Sequence, residues 1–151
     1  MNMDTLQLDA IIKTPGFLGA FAYDELPRQP KSELYSLVIN TSPSSEPGDH
    51  WLSLVYKKQV YYFLDSYGRT LTDTTFSHDF VAKIKSYIGG VKVVYQKKLL
   101  QQLMSNVCGE YSVYFISELA KRSFNSVMRV FSADLKNNDS YVFKYVKELN
   151  K

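Results

Sequence analysis

A single cysteine, Cys108, serves a chain of 151 residues, so no internal disulfide can form and the fold must hold by packing alone. Long apolar runs are missing too. Stretches such as Val60–Leu64 and Val113–Ile116 fall far short of the roughly 20 residues a membrane span needs, and no membrane partner is expected. The N-terminal Met1-Asn2-Met3-Asp4 lacks the basic and apolar regions of a secretory signal. With the lone cysteine, this points to a reducing, intracellular setting. Glycine and proline are few, and no stretch runs on one or two residue types, which excludes repeat arrays and low-complexity tails. Nor is there an excess of charge of one sign. A net charge of +3, with Lys57-Lys58 and Lys97-Lys98 as short basic pairs, suits a solvated surface better than a nucleic-acid footprint.

What is present is material for a core. Hydrophobic residues make up 45% and aromatic residues 15%, enough for a single domain over residues 1–151, expected to be a monomer. Leu8, Ile11 and Ile12 share one face of a helix that Thr14-Pro15-Gly16 ends. After a short apolar run, Phe17 to Phe21, and a polar connector come three strand-like segments: Leu34–Asn40, Trp51–Tyr56 and Val60–Leu64. Lys57-Lys58-Gln59 suits a hairpin between the last two, whereas the long turn-forming segment from Thr41 to Asp49 delivers His50 to a strand start. A helix with Phe80, Ile84, Tyr87 and Ile88 on one face stops at Gly89-Gly90, and Val91–Tyr95 reads as a further strand. From about Val107 to Lys121 the chain is apolar on most faces, as for a buried central helix that Cys108 begins. A last helix covers Ser140–Leu149. The order gives an α+β fold, a central, mostly antiparallel sheet flanked by helices.

Chemistry concentrates at few residues. A cysteine inside an apolar helix is usually a small core residue, but one at a helix N-terminus lies where unpaired N–H groups and the helix dipole stabilise a thiolate. Such a nucleophile needs a base, and there are two histidines to choose from. His50 stands at a strand start on the sheet's rim, whereas His78, beside Phe76 and Phe80, reads as structural or surface. Asp65 ends the strand that pairs with the one starting at His50, which puts both near the same rim, with the carboxylate able to hold the imidazole in one tautomer. The competing reading is that Asp65-Ser66 caps the turn before Gly68. For the oxyanion of an attacked carbonyl, the Cys108 N–H and a side-chain amide would serve, and Gln101 or Gln102 is placed to supply it.

These residues fall into four segments in order: Gly16-Phe17-Leu18-Gly19 with Asp24-Glu25-Leu26-Pro27; Asn40-Thr41 through Pro47-Gly48-Asp49-His50-Trp51; Phe63-Leu64-Asp65-Ser66-Tyr67-Gly68; and Gln101 with Ser105-Asn106-Val107-Cys108-Gly109-Glu110-Tyr111. Together they resemble the adenovirus maturation protease family, in particular its shorter adenain-like relatives from virophages and Polinton-type elements, over most of the chain. The resemblance implies a papain-like cysteine protease fold with His50 as base, Asp65 as orienter, Cys108 as nucleophile and Gln101 as oxyanion donor. The spacing in the related SUMO proteases would choose Gln102 instead. It also implies that Trp51 roofs a narrow substrate channel and so favours small, Gly-containing sites; the competing reading is that Trp51 is a core anchor of its strand.

The implied function is a thiol endopeptidase that processes capsid or other structural precursor proteins in the host cytoplasm or nucleus, or packaged in the particle, without metal or cofactor. The adenovirus pattern includes an activating peptide attached through a second cysteine. This chain has none, so disulfide activation would consume Cys108 itself, and a peptide or DNA activator is left open. The alternatives are a SUMO- or ubiquitin-like isopeptidase, an acetyl transferase on the same triad, and a non-catalytic capsid- or DNA-binding scaffold.

Overall fold

In a computed structural model of the chain, residues 3–151 are described; Met1 and Asn2, part of the stretch read against a secretory signal, lie outside them. Helix α1 (Thr5–Ile11) begins with a reciprocal cap, in which Gln7 N–H donates to the Asp4 carboxylate and Asp4 N–H to the Gln7 side chain, both at 2.8 Å. That satisfies two of the donors a helix start leaves bare.

Five strands form one sheet in the order β1 (Phe17–Ala22), β2 (Leu34–Asn40), β3 (Trp51–Lys57), β4 (Val60–Leu64), β5 (Lys92–Tyr95). The three central strands are antiparallel, as the hairpin chemistry requires. The edge strands run the same way as their neighbours: β1 pairs parallel to β2, and β5 parallel to β4. A parallel neighbour needs a crossover, which α2 (His78–Ile88) supplies between β4 and β5. The sheet is therefore mixed, within an α+β architecture.

Alternation along the strands gives each face its own core. Leu37, Ile39, Leu52, Leu54 and Phe63 point to the α2 side, where Phe80 and Ile84 meet them. Val38, Val55 and Leu64 point to the other side, against α3 (Cys108–Leu119). There α1, α4 (Phe124–Met128) and α5 (Leu135–Leu149) pack with α3. Eleven of the twelve residues of α3 are buried, as its all-round apolar pattern leads one to expect. Among the described residues, no helix is long and apolar enough to cross a membrane.

The β3–β4 turn is built without glycine. Lys58 and Gln59 both take positive φ, 51° and 67°, at a cost of about 1–2 kcal/mol each. Burying Leu54, Val55 and Phe63 in register is worth roughly 1.5–3 kcal/mol per side chain, so the core sets this hairpin's register and the turn bears the strain.

Candidate active site

His50 closes the loop that follows β2 and stands immediately before β3, while Asp65 follows the last residue of β4. The last paired residues there are Ser53 and Leu64, so both groups lie just past the ladder at one rim of the sheet. Both are buried, Asp65 with no exposed surface at all. The imidazole Nε2 lies 2.7 Å from Asp65 Oδ1. A carboxylate only accepts, so Nε2 carries the proton and Nδ1 is the nitrogen turned to other work.

The electrostatics follow from this packing. Burial opposes charge on His50, but the hydrogen bond to Asp65 and the nearness of Asp65 and Cys108 outweigh it and raise the imidazole to about 9 from its ordinary 6.5. Burial likewise opposes charge on Asp65, yet His50 and then Arg69 hold its carboxyl below the usual range. A buried imidazole paired to a carboxylate and close to a cysteine can serve as a base.

Cys108 is the first residue of α3 and 4% exposed. Val107, the N-cap of this helix, has no polar group to offer its first N–H groups. Tyr111 N–H makes the first helical bond back to Val107, at 3.1 Å.

The loop leading to the cysteine is tied at both ends. Leu100 and Gln101 N–H donate to the Ser66 carbonyl at 2.9 and 3.2 Å, and Ser66 Oγ donates to Gln101 Oε1 at 2.6 Å. Gln101 is fully buried, and its Nε2 donates to Ser105 O and Oγ at 3.0 and 3.1 Å. Gln102 is exposed, with only its backbone N–H turned inward, 3.4 Å from Asp139. Of the two glutamines, Gln101 alone has its side chain built into the site's loops.

Trp51 is 3% exposed; its indole N–H donates to the Met3 carbonyl at 2.8 Å, and it borders a cleft of 270 Å³ with Ala20, Asn40 and Pro43. It thus packs as a core side chain and faces a cleft at once. Met3 also rests on Gly109, where a Cβ would come within 3.0 Å of the methionine's own Cβ. The second histidine, His78, opens α2 at the surface, as its sequence surroundings suggest.

Several residues to which the sequence reading gave no role of their own complete the site. The Tyr67 ring stacks on the His50 imidazole, centroids 4.9 Å apart. Gln96, 1% exposed, donates to the carbonyls of Asp65 and Lys98 at 2.7 and 2.8 Å. Gly68, at φ 76°, lets the turn after Asp65 pass against the neighbouring loop, since a Cβ there would meet Lys97 O at 2.7 Å. Arg69 Nε donates to Asp65 Oδ2 at 2.6 Å. A basic residue four positions after Asp65 was the one signal that sequence offered for it.

No protein-family model matches the sequence, and no curated protein matches it. Among solved structures, the chain is similar to the ASFV pS273R protease, with 16% sequence identity and a TM-score of 0.47 over 90% of this chain. The match takes in 52% of the other chain, so this protein spans about half the length of the protease it resembles.

Proposed function

We propose that the protein is a cysteine endopeptidase in which Cys108, His50 and Asp65 act as one unit. The observation that carries this reading is the buried imidazole, held through Nε2 by Asp65 at 2.7 Å, with Cys108 close enough to act on its charge and standing first in a helix. The Cys108 thiolate attacks a peptide carbonyl, and the oxyanion is met by the Cys108 N–H and by Gln101 Nε2, which exchanges its bond to Ser105 for the new acceptor. His50 then protonates the leaving amine. Water deprotonated by His50 hydrolyses the thioester and restores the thiolate–imidazolium pair.

Leu103 and Met104, 75% and 94% exposed on the loop before Cys108, suit an extended polypeptide substrate better than a small acyl donor. The resemblance of the motifs extends the proposal to an intracellular viral or mobile-element enzyme that cuts capsid or structural precursors at Gly-containing sites. Trp51 would there limit the side chains beside the scissile bond.

The test is alkylation of Cys108 by an iodoacetamide probe across pH in wild type and His50→Ala. Rapid labelling below about pH 7 that collapses in the variant supports the reading. Labelling that begins only near about pH 8.5 in both marks an ordinary thiol and defeats it.

A further inference from the structure

We infer that Arg69 is a positioning residue of this site, fixing the plane of the Asp65 carboxylate so that His50 is held with Nδ1 facing Cys108. The inference deepens the proposed function and rests on it.

Asp65 has two oxygens with separate duties. Oδ1 accepts from His50 Nε2 at 2.7 Å and from Tyr67 N–H at 3.3 Å; Oδ2 accepts from Arg69 Nε at 2.6 Å and from Arg69 N–H at 3.4 Å. With His50 and the two long backbone bonds, at 3.3 and 3.4 Å, the carboxylate would be held only weakly against rotation about its last bond. The Arg69 bond on the far oxygen removes that freedom.

Arg69 is itself immobilised. Its Nη1 donates to Thr75 Oγ1 at 3.2 Å, and that hydroxyl donates to Asp73 at 2.5 Å. The guanidinium lies 4.3 Å from the Phe76 ring centroid and 5.4 Å from that of Tyr67, whose ring stacks on His50. The segment just ahead of α2 thereby grips the carboxylate that orients the base. A lysine could supply the charge but not this planar fork.

Arg69 acts through Asp65 and not directly on the imidazole, and this gives the test a sign. The charged and titratable groups facing His50 are Asp65, Cys108 and the stacked Tyr67; those facing Asp65 are His50 and Arg69, with Asp73 near Arg69 and Asp139 near Tyr67. Were Arg69 only a nearby cation, removing it would unmask Asp65 and move the His50 titration upward. If Arg69 positions Asp65, its loss loosens the bond to Nε2, burial prevails, and the titration moves downward.

The experiment is an NMR titration of both histidine rings, with His78 as internal reference, in wild type, Arg69→Met and Arg69→Lys. The expected result is a His50 midpoint lower by about one pH unit in Arg69→Met, with Arg69→Lys between it and wild type. Cys108 alkylation at pH 6 should fall about tenfold in step. An upward or absent shift in folded Arg69→Met, or in Arg69→Lys should the first not fold, overturns the inference. Failure of the protease reading looks different: Cys108 would behave as an ordinary thiol in wild type, whatever Arg69 does to His50.

Discussion

At one end of the β3–β4 hairpin His50, Asp65 and Arg69 keep charge out of water; at the other, Tyr35, Tyr56 and Tyr61 gather phenol rings beside the Lys58-Gln59 turn. The two ends are roughly 20 Å apart along strands that rise about 3.3 Å per residue. Both bury polar atoms, but with different tolerance. Tyr35 stacks on Tyr56 at 4.8 Å, and Gln29 Nε2 donates to the Tyr61 hydroxyl at 2.7 Å, which in turn pairs with that of Tyr35. Losing one neutral partner there leaves rings still packed. At the other end each partner balances a charge, and its removal strands another.

The comparison is broken most severely by Asp65→Asn. The amide would turn an N–H toward Arg69 or His50 and free the imidazole to take the other tautomer, so kcat/KM for the proposed peptidase activity should fall by about 10⁴-fold. A variant at the tyrosine end should leave the same assay unchanged.

A second experiment sharpens the contrast through pH. His50 is raised in the folded state, so its stabilising contribution is fully present below about pH 6.5 and is lost as pH rises through about 9. Asp65 is lowered, so its contribution holds above the usual carboxylate range and is lost in acid. In urea unfolding, the stability gap between wild type and His50→Gln should therefore shrink from pH 6.5 to 9. The gap to Tyr61→Phe should stay flat over that range.

The smallest effect belongs to Tyr61→Phe itself. It removes one hydroxyl from the Gln29–Tyr61–Tyr35 group and should cost about 1 kcal/mol, read as a fall of about 2–4 °C in the thermal midpoint with activity intact.

The central strands and α3 were legible because their apolar spacing answers to burial alone. β1 was not: six residues interrupted by Gly19 carry too little alternation, and its parallel pairing with β2 depends on partners distant in sequence. Helix α4 escaped for its brevity, five residues under a Ser123 cap. Helix α5 starts at Leu135, ahead of the expected Ser140, because Asp134 caps it and the first turns are too polar to show a periodic face.

At the site, the nearness of His50 and Asp65 followed from the hairpin's register, and the place of Cys108 followed from the apolar run after it. What could not be read were the contacts that fix those groups. The Tyr67 stack, the Gln96 bonds and the Arg69 fork arise where loops from different parts of the chain meet, and no periodicity marks such meetings.

The burial of α3 decides which part of the molecule can admit a substrate. A helix with eleven of twelve residues packed cannot tilt to present Cys108 without unpacking the core on its side of the sheet. Motion that uncovers Cys108 must then fall to the loop before it, where residues 102–104 are exposed, rather than to the helix. The rate of Cys108 modification should then depend on the size of the reagent before it depends on its chemistry.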